Sequence, residues 1–225
     1  MIKIYKIKCI TNLHVGSGEI NYSIIDNEVQ KDPVTGYPTI FSSSVKGALR
    51  EHLKKIDFDK KKCIEMFGSE QGDNKTNIKQ GLLKFTSAQL LKIPMRNNEG
   101  EDPYKMVYSE TAKNQFNRFC EIMNYKINND CFNDCEKLDC MEFNSLVNHL
   151  PVIARNQLNN GISENLWYEE FVPHESEFWF AVLYDGSGND NLIDDFNNIL
   201  MENKIVQFGA NASIGVGFCL VEEIE

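Results

Sequence analysis

No apolar stretch of this chain approaches the ~20 consecutive residues that a membrane-spanning helix requires. The N-terminus, MIKIYKIKCI, also lacks the continuous apolar core of a secretion signal, because lysine alternates with apolar residues there. The expectation is a cytoplasmic protein that does not touch a membrane. An excess of positive charge is missing too. With 23 lysines and arginines against 33 aspartates and glutamates, the formal net charge is −10. This argues against nonspecific nucleic-acid binding through bulk charge and leaves room for a local basic groove. Much of the acidic excess falls in the second half, in 128–142 and in Glu222, Glu223 and Glu225, while the first part of the chain is rich in lysine. That asymmetry suits a basic ligand face on an acidic body.

A C-x-x-C pair is absent as well. The seven cysteines are an odd number in a reducing compartment, which speaks against a disulfide framework. Cys131, Cys135 and Cys140 cluster, with Cys120 upstream as a fourth thiol. A tetrahedral zinc site on these four stands beside the plainer reading, free thiols in an acidic loop, which is favoured. No internal repeat or low-complexity linker divides the 225 residues. With 42% hydrophobic and 25% charged residues, the composition is that of an ordinary globular protein.

Periodicity predicts the elements. Ile2 to Ile10 reads as a strand, and a long excursion follows through the turn-like Asp32-Pro33 and Thr35-Gly36-Tyr37-Pro38. Val45, Ala48, Leu49, Leu53 and Ile56 recur at helical spacing, with Ser42, Ser43 and Ser44 as candidate N-caps. A short helix at Cys63–Phe67 precedes a mainly extended stretch from Leu82 to Ile93. Ala112, Phe116, Phe119, Cys120 and Met123 mark an amphipathic helix, and Asn159-Asn160-Gly161 marks the tip of a long hairpin or arm over 150–173. A strand at Glu177–Tyr184, a helix over 190–203 and a last strand at Phe218–Val221 complete the chain. Without its insertions the order is strand, helix, strand, strand, helix, strand. That order implies an α+β, ferredoxin-like or RRM-like fold with helices on one face of an antiparallel sheet.

Three distant stretches share one logic. LHVGSG at 13–18 follows a strand, SSSVKGALR at 42–50 opens a helix, and GANASIGVGF at 209–218 joins a helix to the last strand. Each puts small residues and backbone N–H groups where phosphates are commonly cradled. Three of them suggest a long polyphosphate ligand, nucleic acid above all. Within them the candidate contacts are His14, Gly16, Ser17, Gly18, Ser43, Ser44, Lys46, Arg50, Gly209, Gly215 and Gly217. Lys46 and Arg50 lie four apart and share a helix face. The glycines also suit a tight helix-to-strand turn, and the two readings are compatible.

These stretches, together with IIDNEVQKDPVTGYPTIF at 24–41, MFGSEQGDN at 66–74, GLLKFTSAQLLKIPMR at 81–96 and LPVIARNQLNNGISENLWYEEFVP at 150–173, resemble the RAMP superfamily of CRISPR–Cas proteins. The closer resemblance is to the repeated backbone subunit of type III-B (Cmr) effector complexes. It implies a single RAMP domain over 1–225, with insertions at about 57–80 and 97–149 and an extended β-hairpin thumb at 150–173. It also implies copies that polymerise as a helical filament along a CRISPR guide RNA, beside other type III effector subunits. Such a subunit cleaves the paired target RNA at regular intervals, with a divalent metal ion (Mg2+ or Mn2+) and an aspartate after the first strand. Asp26 matches that aspartate, as catalytic acid and metal ligand. The sequence departs from the family pattern at Glu28, where proline is usual, at Val216, near where a basic residue is usual, and at Ser42, where glycine is usual.

One carboxylate suffices for RNA cleavage when the 2′-hydroxyl is held in line with the adjacent phosphate. Read without the resemblance, Asp26 is a solvated loop acid. His14 invites a second reading, a repeat-processing endoribonuclease with imidazole as base, although a lone histidine at a strand end is more often a packing residue. A third possibility is a guide-binding scaffold that does not cleave. On the arm, Arg155 is a candidate phosphate contact, and Trp167, Tyr168 and Phe171 suit base stacking as well as core or interface packing.

Overall fold

A computed structural model describes residues 1–18, 24–69, 79–98, 100–128, 131–186 and 191–225. Its first half holds β1 (Ile2–Cys9), β2 (Thr39–Ile40), α1 (Ser42–Lys55), α2 (Lys60–Phe67), β3 (Lys84–Phe85), β4 (Ala88–Arg96) and β5 (Tyr104–Ser109). Then come α3 (Glu110–Ile122), β6 (Glu136–Leu138), α4 (Cys140–Asn148), β7 (Val152–Asn159) and β8 (Ile162–Glu170). The chain closes with β9 (Glu177–Leu183), α5 (Leu192–Glu202), β10 (Ile205–Gln207) and β11 (Phe218–Glu223). Among the described residues no helix is long and apolar enough to cross a membrane.

The centre of the main sheet runs β11-β1-β9-β4, all antiparallel, which is the ferredoxin-like order. The α+β expectation is borne out. Side chains alternate across it as strand geometry demands. Tyr5, Ile7, Phe178, Phe180 and Val182 face α1 and α5, packing with Leu49, Leu53, Phe196 and Leu200. Helices on one face alone is not what the chain does, however. Ile4, Trp179 and Ala181 point the other way into a second core with Phe116 and Cys120 of α3. Both faces of β9 are therefore covered, which is why EFWFAVL is apolar almost without interruption.

The segment 97–149 supplies that second layer. β5 and β6 extend the sheet beyond β4, and α4 brings Phe143 and Val147 to the larger core. Of the cysteines expected to cluster, Cys120 is buried in α3, Cys131 and Cys135 are half-buried, and Cys140 opens α4. Among the described residues no group of three or more histidines, cysteines or acids is placed to hold a metal.

The arm forms a sheet of its own. Among the described residues β7 pairs only with β8, around Asn160-Gly161, both with positive φ (49° and 81°), as a tight two-residue hairpin turn requires. Most of its side chains are exposed, so the hairpin stands off the body and is held at its base.

Candidate functional site

The three glycine and serine stretches are brought together in space. Segment 12–18 leaves β1 and lies between two neighbours. On one side the Leu13 and Val172 backbones exchange hydrogen bonds of 2.9 Å. On the other, Ala210 N donates to the His14 carbonyl and Gly217 N to the Asn12 carbonyl, each at 2.9 Å. The start of α1 joins the same cluster through Gln30. The Gln30 amide nitrogen donates to the Gly16 carbonyl and to Ser44 Oγ, both at 3.2 Å. A cleft of about 440 Å³ runs between α1 and the glycine loop, lined by Ser44, Gly47, Lys55, Gln207, Gly209 and Phe218 among others.

The N-terminus of α1 differs from those of its neighbours. Asp59, Ser109 and Asp139 cap α2, α3 and α4 with side-chain oxygens. For α1 the N-cap is Phe41, not one of the three serines, and its own side chain makes no capping bond; Ser87 Oγ accepts from Ser42 N at 3.1 Å. No acid lies in its first turn, whereas α5 carries Asp194 and Asp195 there. The partial positive charge of α1 is thus left unneutralised by its own residues, beside the exposed Ser43. Lys46 is half-buried and has no ion-pair partner among the described residues. Arg50 serves the fold: its guanidinium donates to the Gly68 carbonyl at the end of α2.

The glycines divide by role. Gly209 and Gly217 have positive φ (75° and 83°), and a Cβ would lie 2.1 Å from the His14 carbonyl oxygen and 2.0 Å from that of Phe208. Both are demanded by close backbone approach. Gly18 and Gly215 also have positive φ, but among the described residues a Cβ there meets nothing within 4 Å. No described residue covers the surface at either one.

Asp26 lies at the foot of the hairpin. The exposed carboxylate accepts from Tyr168 N through Oδ2 at 2.8 Å, and Asn27 N donates to the Tyr168 carbonyl at 3.1 Å. Two buried acids at the end of β8 organise this corner. Glu170 accepts from Val29 N at 3.1 Å and pairs with Lys31 at 3.0 Å. Glu169 accepts from Arg155 (2.8 Å), Trp167 Nε1 (3.0 Å) and Asn211 Nδ2 (3.1 Å), linking both hairpin strands to the glycine loop. Burial alone would raise its pKa, but the hydrogen bonds and charge of Arg155 and the Trp167 N–H hold it below the usual carboxylate range. Arg155 is therefore engaged with Glu169, its guanidinium 5.4 Å from the Trp167 ring centre.

His14 is 4% exposed, its Nδ1 sits 2.7 Å from the Glu170 carbonyl, and its ring packs on Phe171. It ties the first loop to the hairpin base. Phe171 is buried and Tyr168 exposed, so of the arm's aromatics Tyr168 is presented to solvent. Asp32 closes its own turn, accepting from the Val34 and Thr35 N–H groups. Sequence reasoning did not single out Gln30, Glu169 or Glu170. The adjacent acids in an apolar setting, WYEEFVP, were the one available signal.

A family model described as the RAMP superfamily matches residues 6–220. The chain belongs to the RAMP superfamily. Among its relatives is the Cmr endoribonuclease Cmr4 of Pyrococcus furiosus, 25% identical over 94% of this chain and 92% of the relative. Among solved structures, a type III-B Cmr-beta complex in its apo state contains a chain with TM-score 0.78 and 20% identity, covering 100% of this chain and 98% of that one. A Cmr-beta complex bound to cognate target RNA gives 0.76, again at 20% identity, covering 99% and 97%. The likeness to type III-B Cmr proteins read from the sequence is borne out. For this RAMP chain, the sheet is thus the family scaffold, and the candidate site is the place where the first loop, α1, the glycine loop and the hairpin base meet.

Proposed function

We propose that this chain is a guide-RNA-binding backbone subunit of a type III-B effector complex that cleaves guide-complementary target RNA, with Asp26 as catalytic acid. The observation that carries the reading is the coupling of Asp26 to the base of a projecting hairpin, next to converging phosphate-type backbone segments. In this reading the glycine loop, the Gly16–Gly18 loop and the start of α1 hold guide phosphates, and further copies continue the filament. The relatives' names support RNA cleavage, and the target-bound complex supports an RNA partner. Other type III subunits complete the assembly.

The reaction asks little of the protein. The 2′-oxygen gives up its proton to a base and attacks the adjacent phosphorus, the bond to the 5′-oxygen breaks, that oxygen takes a proton from solvent, and a cyclic phosphate and a 5′-hydroxyl result. The hairpin, with exposed Tyr168, Leu158 and Leu166, is the element that distorts the duplex into the in-line arrangement. Asp26 keeps Oδ1 without a partner among the described residues, and that oxygen, the carboxylate acting as base, takes the 2′-hydroxyl proton or would hold a metal. A single protein carboxylate fits Mg2+, which is commonly bound by one or two carboxylates plus phosphates and water. When bound, such an ion would neutralise charge on the phosphate oxygens.

The test is cleavage of a labelled RNA complementary to the guide by the reconstituted complex, with wild-type and Asp26→Ala subunits. Evenly spaced cuts that disappear in the variant, with binding intact, are expected. Cuts that persist would move the chemistry elsewhere, and none from either protein would leave a guide-binding scaffold.

A further inference from the structure

We propose that Gln30 is a positioning residue for phosphate binding, presenting the Ser44 hydroxyl as a hydrogen-bond donor to an RNA phosphodiester. The proposal rests on the guide-RNA reading above and adds two residues acting as a unit.

Gln30 is 6% exposed and belongs to no helix or strand. Its backbone is nonetheless fixed at both ends: its N–H donates to the Val15 carbonyl at 2.8 Å, and its carbonyl accepts from Thr39 N at 2.9 Å. The side chain then reaches three partners. Oε1 accepts from Phe41 N at 2.6 Å, and Nε2 donates to the Gly16 carbonyl and to Ser44 Oγ. The amide admits one orientation. A backbone N–H is only a donor and a carbonyl only an acceptor, so a flipped amide would lose both backbone bonds.

That orientation decides what Ser44 does. The second amide N–H lands on Ser44 Oγ and occupies the hydroxyl as an acceptor. A serine in a helix commonly returns its own proton to the carbonyl four residues back. Here no such bond forms, and among the described residues no acceptor takes the Ser44 proton. The hydroxyl is left as a donor on the wall of the cleft, in the first turn of α1. An anion is the partner that fits a fixed donor at a helix N-terminus. The same amide holds the Gly16 carbonyl, so loop and helix keep a constant spacing.

Equilibrium binding of full-length protein to labelled single-stranded guide RNA, titrated over salt, tests this in wild type, Ser44→Ala, Gln30→Met and the double variant. Each single variant is expected to weaken binding ~10-fold, the range of one hydrogen bond to a charged group. The double variant should lose no more than either single one. Because neither residue carries charge, the salt dependence should stay parallel to that of wild type. Gln30→Glu is a second probe that keeps the shape: it accepts from Phe41 N but also accepts the Ser44 proton, and should match Ser44→Ala in lost affinity or exceed it. Wild-type affinity in Ser44→Ala, or additive losses in the double variant, would overturn the proposal while leaving RNA binding in place. A wild-type protein that fails to bind guide RNA would overturn the underlying reading.

Discussion

The glycine loop offers a sharp separation of folding from ligand approach, through alanine at Gly209, Gly215 and Gly217 taken one at a time. All three have positive φ, so each substitution forces alanine into the left-handed region at ~1–2 kcal/mol. At Gly215 nothing further is asked, since a Cβ there meets no atom within 4 Å. At Gly209 and Gly217 the new carbon would lie 2.1 and 2.0 Å from backbone oxygens. Those distances are far inside the ~3.5 Å at which carbon-sized atoms attract. Both offending oxygens are backbone, and the Gly209 contact belongs to a carbonyl already bonded to Ala210 N. Adding ~1–3 kcal/mol for overpacking gives a total of ~2–5 kcal/mol at these two positions. In a chain of this size ~1 kcal/mol moves the melting temperature by ~2–4 °C. Thermal unfolding should therefore show a fall of a few degrees for Gly215→Ala and on the order of 10 °C for Gly209→Ala and Gly217→Ala. Guide-RNA affinity, measured well below the transition, should fall in Gly215→Ala out of proportion to its stability. Equal losses of stability at all three positions would refute the division of roles.

Three further outcomes follow from the site. Glu169 has a depressed pKa, so its stabilising effect is complete above the unfolded value of ~4.3 and is lost as pH falls through the lower folded value. Arg155→Met removes the leading partner that lowers it, and acid unfolding should then begin at higher pH; an unchanged midpoint would deny the coupling. Lys46→Ala should reduce the slope of log affinity against log salt by ~0.7, the value for one phosphate contact on a single strand, and an unaltered slope would place Lys46 away from the RNA. Chelation of divalent metal should stop cleavage of target RNA and leave the melting temperature unmoved, because no cage of three protein ligands exists among the described residues. A large drop in melting temperature would reveal a structural metal.

Periodicity carried the scaffold well because its main elements are long and amphipathic. The spacing of Val45, Leu49 and Leu53 gave α1, and Asn160-Gly161 gave the hairpin turn. The second layer was harder to see. β5, β6 and α4 are short and lie in a polar, cysteine-rich stretch, although the unbroken apolar run of β9 already required cover on both faces. The site was legible where backbone chemistry dictates residue type, as at Gly209 and Gly217. It was not legible where a polar side chain depends on partners from elsewhere. Glu169 becomes buried because Arg155 and Asn211 arrive beside it, and Gln30 matters because Gly16, Phe41 and Ser44 converge on it. Nor does a run of three serines reveal that the cap falls on Phe41.

The attachment of Asp26 to the hairpin has a geometric consequence. Residues 26–29 are stitched to Tyr168 and Glu170 on the returning strand, so arm and carboxylate travel as one rigid piece. A tilt of the arm therefore moves the acid with it. Under the function proposed above, in a row of identical copies the arm would serve as a measuring stick: the phosphate to be cut would be counted from the arm's footing, and the cut interval would equal the spacing between neighbouring arms.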